Sequence, residues 1–235
     1  MKTQVRADMM LVLVTLCWGT SYYMIDICLT QMETFNLNAF RFLGAFIVAA
    51  IVGFPKLRGI SRATVKYAFF IGISLVFVYM GATFGVMYTS LSNSGFLCAL
   101  TVVFTPFLAF VFKKQRPDKK ILAVVLVCLI GIALMSLNEK MKPALGDIFC
   151  IMCAFAYAVD LLITETAVSR EDVNAFHLGV LQLGFTGIFM LILSFIFEEP
   201  CLPSTPKVWG TAIFLAVFST GVAFIVQAIA QQYTT

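Results

Sequence analysis

Charged and titratable side chains inside long apolar stretches are the residues of this chain that could do chemistry. Asp26 and Arg41 lie on two successive apolar stretches, and Asp160 and His177 lie on two later ones. Because an isolated charge is costly in hydrocarbon, each acid should face a basic partner or a polar path. We predict that Asp26 and Arg41 form a structural ion pair, and that His177 is the partner of Asp160.

Asp160 differs from Asp26 because its partner can change charge. A histidine can lose its proton near neutral pH, so His177 need not hold a permanent positive charge. Gln182 and Gln227 lie at similar depths in the following apolar stretches. These four side chains could line a wet inner vestibule and bind a solute, or they could form an interhelical hydrogen-bond network without a ligand.

A second group of polar and aromatic side chains lies near the middle of the apolar stretches. Aromatic rings and hydroxyls suit a moderately polar organic solute, because flat faces offer contact area while few charges are fixed. The alternative is ordinary packing, since the chain has 24 Phe and seven Tyr residues. The substrate-binding candidates in this group are Trp18, Ser21, Tyr22, Tyr79, Thr101 and Thr105.

Composition places these side chains in a membrane. Of the 235 residues, 61% are hydrophobic and 12% are charged, whereas soluble domains carry about twice that share of charge. A spanning helix needs about 20 apolar residues, and loops between the apolar runs are short. We therefore predict an all-α polytopic membrane protein with eight spans: Met9–Leu29, Leu37–Phe54, Lys66–Tyr88, Ser94–Phe112, Ile121–Leu137, Gly146–Val168, Ala175–Phe197 and Val208–Gln232.

The fourth of these spans should be interrupted. An uncharged segment rich in Ser, Asn and Gly precedes it, and Asn93 and Ser94 are candidate N-caps. Pro106 removes a backbone donor inside the span, which a bilayer tolerates only where neighbouring groups satisfy the freed backbone. We expect this helix to face protein or a cavity rather than lipid. A packing kink without a role in binding is the alternative.

The basic residues predict the orientation. With the N-terminus in the cytoplasm, 12 of the 16 Lys and Arg residues fall on the cytoplasmic side. Lys140, Lys142 and Lys207 fall on the other side, and Arg41 lies within a span. This agreement with the positive-inside rule predicts a cytoplasmic N-terminus in the cell membrane, and it makes a nucleic-acid partner unnecessary.

Catalytic and metal-binding patterns are not found in the sequence. The chain has one His and seven Cys, and six of the cysteines fall in predicted helices, so we expect neither a metal site nor a disulfide framework. No HExxH or GxSxG motif occurs. We predict no cofactor and no enzyme activity. A membrane-embedded enzyme is the less favoured alternative to a carrier.

The sequence also repeats itself. The order Tyr-Met-Ile-Asp and then Asn-Ala-Phe-Arg, ending at Asp26 and Arg41, is echoed by Tyr-Ala-Val-Asp and then Asn-Ala-Phe-His, ending at Asp160 and His177. Repeats with an odd number of helices enter the membrane in opposite directions. That arrangement is typical of alternating-access carriers, with the substrate near the midplane between the repeats.

Several segments resemble one transporter family. CWGTS and NAFRF resemble its first two helices, YTSLSNSGFL followed by LTVVFTPFLAFVF resembles its fourth, and ILAVVLVCLIGIALMSL resembles its fifth. The family is the EamA type of the drug/metabolite transporter superfamily. The resemblance implies a fold of two inverted five-helix repeats, with a first repeat at residues 1–142 and a second, incomplete repeat at 143–235. The last two helices of the second repeat are expected to be missing.

The resemblance also implies a function. We expect a permease for a small organic metabolite, amino acid or drug-like solute that works by alternating access and moves the solute outward across the cell membrane, that is, efflux. Its partners would be this solute and the lipid bilayer, and a homodimer could cover an open side of the second repeat. The alternative is a structural or dimerising membrane protein that transports nothing.

Overall fold

The computed structural model describes residues 2–114, 119–136 and 144–233. These residues are helical and contain no strand, which confirms the predicted all-α class. The α-helices are α1 (Lys2–Cys28), α2 (Thr34–Gly53), α3 (Arg62–Tyr88), α4 (Leu91–Cys98), α5 (Thr101–Lys113), α6 (Lys119–Ser136), α7 (Leu145–Val168), α8 (Ala175–Phe197), α9 (Pro206–Phe214) and α10 (Ala223–Gln231). A short 3-10 turn, Phe54–Lys56, follows α2, and a π-helical segment, Leu215–Val222, joins α9 to α10.

Seven helical stretches in the described residues are long and apolar enough to cross a membrane. They correspond to seven of the eight predicted spans, and they confirm a multi-pass membrane protein. The predicted fifth span falls on α6, where the apolar stretch within the described residues, Lys120–Gly131, is shorter. Leu137, the predicted end of that span, lies outside the described residues. The count of eight is therefore not confirmed.

The chain forms two compact units. The first unit contains Met1–Val76 and Ile163–Thr235, and the second contains Phe77–Leu162. Helices α3 and α7 contribute to both. This division describes packing, whereas the proposed boundary between residues 142 and 143 describes a sequence repeat, and that boundary stays a prediction.

In the first unit, α8 packs closely on its neighbours because glycines remove side chains from the contact. A β-carbon at Gly187 would lie 2.8 Å from the side chain of Leu43 on α2. A β-carbon at Gly72 on α3 would lie 2.7 Å from the β-carbon of Phe185 on α8. Real β-carbons do not come this close to other atoms, so these two positions set the separation of the helices.

Glu198, just after α8, holds the beginning of α2. Its Oε1 and Oε2 accept hydrogen bonds from the backbone N–H groups of Phe35 (2.8 Å) and Asn36 (2.7 Å). A carboxylate satisfies the free N–H groups of a helix N-terminus and interacts favourably with its dipole. The Asn36 side chain in turn donates to the carbonyl of Cys201 at 2.8 Å. Partial burial raises the pKa of Glu198, and the two backbone hydrogen bonds oppose that shift.

The second unit is held by contacts of α3 and α5 with α7. A β-carbon at Gly81 would lie 2.6 Å from the carbonyl oxygen of Phe149, so the missing side chain allows α3 and α7 to approach closely. Leu108 on α5 forms a buried apolar cluster with Ala158 and Leu162 on α7.

Candidate functional site

The last membrane span is not a regular helix. Within Leu215–Val222 the backbone widens to a π-helix, and at its end the N–H of Ala223 donates to the carbonyl of Phe218, five residues back. Ser219, Thr220 and Gly221 are poorer helix formers than the Ala and Leu around them, which lowers the cost of leaving α geometry. π segments inside helices are rare and frequently occur at functional sites.

Trp18 on α1 binds the backbone of this π segment. Its indole Nε1 donates to the carbonyl oxygen of Ser219 at 3.0 Å. Its ring lies 5.4 Å from the ring of Phe224, at the start of α10. A weaker contact runs the other way, from the Ser219 hydroxyl to the carbonyl of Cys17 at 3.4 Å. Helix α1 therefore supplies a donor to a carbonyl that the π geometry presents.

Arg41 on α2 binds a side chain of the same segment. Its Nε donates to the hydroxyl of Thr220 at 2.9 Å, and the residue is 0% exposed. Its guanidinium carbon lies 5.9 Å from the centre of the Phe42 ring. Since an arginine stays charged in proteins, the structure places a permanent positive charge beside the π segment. Helices α1 and α2, which are far from the last span in sequence, thus both contact it, at Ser219 and Thr220.

The predicted partner of Arg41 is placed differently. Asp26 lies on α1 with an exposed side chain, whereas Arg41 is fully buried. The structure gives Arg41 a hydrogen bond to Thr220. The Asp26–Arg41 ion pair stays a prediction.

Ser21 and Tyr22 lie on the same helix as Trp18. Ser21 is buried, and its hydroxyl donates to the carbonyl of Trp18 at 2.6 Å, one turn earlier in the helix. Tyr22 is half-buried. Ser21 therefore contacts the backbone of the residue that holds the π segment.

A cavity of about 540 Å³ lies elsewhere in the first unit. It is lined by residues of the 58–64 and 171–177 segments together with Ile229 and Gln232, so charged groups of both signs surround it. His177 is among the lining residues, and its Nε2 lies 2.6 Å from the carbonyl oxygen of Lys56. Because a carbonyl can only accept, this ring nitrogen must carry the hydrogen.

The other members of the predicted vestibule are not among the residues that line this cavity. Gln182 on α8 and Gln227 on α10 are buried in the first unit, and Asp160 belongs to the second unit. The backbone carbonyl of Gln182 accepts from the hydroxyl of Thr186 at 2.8 Å. Oε1 of Gln227 is buried and has no hydrogen-bond partner among the described residues. A vestibule formed by all four side chains stays a prediction.

The fourth predicted span is interrupted in the second unit, but not at Pro106, which lies inside α5. Ala99 and Leu100 form a turn between α4 and α5, six to seven residues before Pro106. The hydroxyl of Thr101 donates to the carbonyls of Cys98 (2.9 Å) and Ala154 (3.2 Å). The hydroxyl of Thr105 donates to the carbonyl of Thr101 at 2.7 Å. The Thr101 hydroxyl thus satisfies the Cys98 carbonyl at the end of α4 and also binds α7 through the Ala154 carbonyl.

The beginning of this span differs from the prediction. The N-cap is Ser90, whose hydroxyl accepts from the backbone N–H of Asn93 at 3.2 Å, so Asn93 and Ser94 are wrong as N-caps. They lie inside α4 because its first turn starts at Leu91.

Tyr79 and Asp160 complete the candidates of the second unit. Tyr79 on α3 is 8% exposed. Asp160 on α7 is 1% exposed, and its Oδ1 has no hydrogen-bond partner in the described part of the chain. The nine substrate-binding candidates therefore divide by unit: Trp18, Ser21, Tyr22, Gln182 and Gln227 in the first, and Tyr79, Thr101, Thr105 and Asp160 in the second.

Sequence reasoning missed Ser219 and Thr220. A Ser-Thr-Gly triplet inside the eighth predicted span was the available indication, because two hydroxyls and a glycine interrupt an otherwise apolar run. The contacts that mark them as site residues join Ser219 to Trp18, 201 residues away, and Thr220 to Arg41, 179 residues away. Such pairings are not visible in one sequence.

Comparison with known proteins identifies the family. The model of the EamA-like transporter family matches residues 5–137 and 144–235. An uncharacterised transporter of Archaeoglobus fulgidus is 28% identical over 97% of this chain and 70% of its own length. The uncharacterised transporter YetK of Bacillus subtilis is 25% identical over 88% of this chain and 66% of its own.

A solved structure shows the same fold. A crystal structure described only as that of a protein superimposes with a TM-score of 0.73 at 16% identity, over 98% of this chain and 80% of that one. The family match extends over nearly all of the chain, the relatives are named transporters, and the described helices can cross a membrane. The chain belongs to the EamA-like transporter family.

Proposed function

We propose that the protein is a secondary carrier that moves a small organic solute outward across the cell membrane by alternating access. The solute would be a metabolite, an amino acid or a drug-like compound. Membership of a transporter family supports the general activity. The observation that carries the finer proposal is the π segment in the last span, to which Trp18 and Arg41 bind from two other helices.

The π segment suits a carrier for a physical reason. Carriers place their substrate sites where spanning helices are interrupted, because irregular backbone exposes carbonyl and hydroxyl groups inside the membrane. Here the carbonyl of Ser219 and the hydroxyl of Thr220 are such groups. Trp18 adds an aromatic face and Arg41 adds a charge. Because they bind adjacent residues of the same segment, a change in one of these contacts would alter the other.

The nine substrate-binding candidates remain part of this proposal, as does the inverted arrangement of the repeats at 1–142 and 143–235. The polar cavity beside His177 offers a second stretch of solute path in the first unit. A homodimer is proposed only as a way to cover an open side of the second repeat.

The test is solute flux in proteoliposomes, with a panel of labelled amino acids, organic acids and cationic dyes as probes. Thr220→Val removes the hydroxyl that binds Arg41 while keeping the shape of the side chain. We expect it to reduce flux of a transported probe at least tenfold. Thr211→Val is the matched control, because its hydroxyl binds the carbonyl of Lys207 one turn earlier in α9 and touches neither Trp18 nor Arg41.

Three outcomes separate the alternatives. Loss of flux in Thr220→Val with normal flux in Thr211→Val supports the π segment as part of the path. Equal flux in both variants contradicts its role. Folded wild-type protein that moves no probe would favour a structural membrane protein instead.

Orientation has its own test. The positive-inside distribution predicts that the loop after α8 lies outside the cell, and Cys201 in this loop is exposed. In a variant whose other cysteines are replaced by Ala or Ser, an impermeant maleimide added to intact cells should label Cys201. Labelling that requires opened membranes would reverse the orientation.

A further inference from the structure

Asp160 is a buried carboxyl in a place where a charge is costly. It lies on α7, a helix that can cross the membrane, and it is 1% exposed. Eight residues separate it from the end of α7 at Val168, which is about 12 Å at the helical rise of 1.5 Å per residue. Its Oδ1 is buried without a hydrogen-bond partner among the described residues.

The other charged side chains that the structure describes in the same unit lie at or near helix ends. Asp147 lies near the start of α7, where its two oxygens accept from the Thr89 hydroxyl (2.7 Å) and the Ala144 N–H (2.9 Å). Lys113 lies at the end of α5, and Lys120 near the start of α6. Tyr157 lies one turn before Asp160, and Tyr79 on α3 is the buried phenol of this unit. Glu165, five residues beyond Asp160 in the part of α7 that belongs to the first unit, has an exposed side chain.

An ionised carboxylate in such surroundings would carry a large desolvation cost without compensation. Taking up a proton removes the charge and supplies an O–H donor in its place. A metal cation would instead need several oxygen or nitrogen ligands, and the described residues contain no cluster of three or more His, Cys, Asp or Glu side chains. A single carboxyl therefore suits a proton.

We infer that Asp160 is a proton-binding site: its carboxyl holds a proton in the closed protein and releases it to water when the surrounding helices open. The proton is taken up from water on one side and returned to water on the other, so nothing else is consumed. Coupling of this proton to solute movement rests on the proposed carrier function, whereas proton binding itself does not.

Carbodiimide labelling tests the inference on the wild-type protein. Dicyclohexylcarbodiimide is apolar and reacts with protonated carboxyls, so peptide mapping after treatment at neutral pH should find the adduct on Asp160. Asp147, whose two oxygens accept hydrogen bonds from the Thr89 hydroxyl and the Ala144 N–H, is the internal comparison and should stay unmodified. Raising the pH should reduce labelling of Asp160, by about tenfold per pH unit once most of the carboxyl is ionised.

Infrared spectroscopy gives a second measurement that does not require a solute. The wild-type spectrum should contain the C=O stretch of a protonated carboxylic acid, Asp160→Asn should lack it, and Asp147→Asn should keep it. Asp160→Glu should restore the band at a shifted frequency, which separates loss of the proton site from misfolding of the Asn variant.

Several results would overturn the inference. The first is an Asp160 that stays unlabelled in folded wild-type protein. The second is a carboxylate band, rather than an acid band, as the signal that Asp160→Asn removes. The third is a loss of labelling when sodium ions are added at constant pH. A protein that moves no probe solute would contradict the carrier proposal while leaving these readouts unchanged. The two failures are thus distinguishable.

Discussion

The part of the chain that the structure describes contains two irregular places within membrane spans, and they are held in different ways. The turn at Ala99 and Leu100 lies in the second unit. There the Thr101 hydroxyl donates a hydrogen bond to the carbonyl of Cys98 in the same span. The π segment lies in the first unit, where donors come from α1 and α2. The Cys98 carbonyl at the turn is bound by a side chain of the same span, whereas the polar groups of the π segment are bound by residues about 200 positions away.

This difference indicates which irregularity can respond to a ligand. The turn has a hydroxyl donor in its own span, because Thr101 binds the Cys98 carbonyl, and its contact with a neighbouring helix is the longer bond from Thr101 to the Ala154 carbonyl on α7. A π segment stabilised by Trp18 and Arg41 keeps its geometry only while α1 and α2 stay in place. Movement of either helix would therefore change which carbonyls and hydroxyls the last span presents.

The largest effect is expected from Arg41→Lys. Lysine keeps the charge but replaces the planar donor group with an ammonium on a flexible chain, so the bond to Thr220 should be lost. We expect the free energy of unfolding to fall by about 2 kcal/mol, the usual cost of losing a hydrogen bond from a charged group. Thermal unfolding in detergent measures it. Arg170→Lys is the control, because Arg170 pairs with Asp172 on the exposed surface. There the change should be much smaller, because solvent screens an exposed ion pair. Equal changes in both variants would show that the bond from Arg41 to Thr220 adds no more stability than a surface ion pair.

Trp18→Phe should have a smaller effect. It removes the indole N–H that binds the Ser219 carbonyl but keeps an aromatic ring beside Phe224. The expected loss of stability is about 1 kcal/mol, with faster amide hydrogen exchange in the π segment. Trp209→Phe is the matched control, since that ring packs edge-on against Phe40 and does not contact the π segment in the contacts described above. Unchanged exchange in Trp18→Phe would show that the π geometry does not need α1.

Thr105→Val tests the locally held turn. It removes the hydroxyl that binds the Thr101 carbonyl. Because backbone hydrogen bonds continue on both sides, we expect a loss of about 0.5 kcal/mol and faster hydrogen exchange confined to the start of α5. Thr20→Val is the control, with a hydroxyl bonded to the Cys17 carbonyl on the uninterrupted α1. Faster exchange far from α5 in Thr105→Val would contradict local satisfaction of the turn.

The smallest effect concerns pH and the anchoring of α2. Burial raises the pKa of Glu198, so the folded protein binds this proton more tightly than the unfolded chain does. The contribution of Glu198 to stability should therefore decline as pH rises from the ordinary pKa of glutamate through the raised one. Glu198→Gln should remove this part of the slope in thermal unfolding followed across pH. An unchanged slope would mean that Glu198 titrates alike in both states. Because Glu198 is partly exposed, the effect should be modest.

The sequence was sufficient for features that depend on local composition. Apolar runs predicted the seven stretches that can span a membrane. Pro106 predicted an irregular fourth span, although the turn lies at Ala99 and Leu100 and Pro106 lies within α5. The exact N-cap could not be chosen, because Ser90, Asn93 and Ser94 have similar capping propensities.

The π segment could not be predicted for a different reason. Over eight residues, an α-helix and a π-helix allow the same apolar residues, so periodicity does not distinguish them. What selects the π form here is tertiary: Trp18 and Arg41 bind Ser219 and Thr220. The residues of the candidate site that the sequence did identify, such as Trp18, were found by type, and their partners were found only in the fold.

The distance along the chain between Arg41 and Thr220 has a consequence for biogenesis. These residues are 179 positions apart, and ribosomes add about 5–20 residues per second. Arg41 thus emerges roughly 10 to 40 s before its hydroxyl partner exists. An arginine at the centre of a helix costs about 3 kcal/mol during insertion, and throughout this interval α2 carries that cost without Thr220. The nascent α2 therefore needs shelter from lipid, at the translocon or beside another helix, until the last span is made.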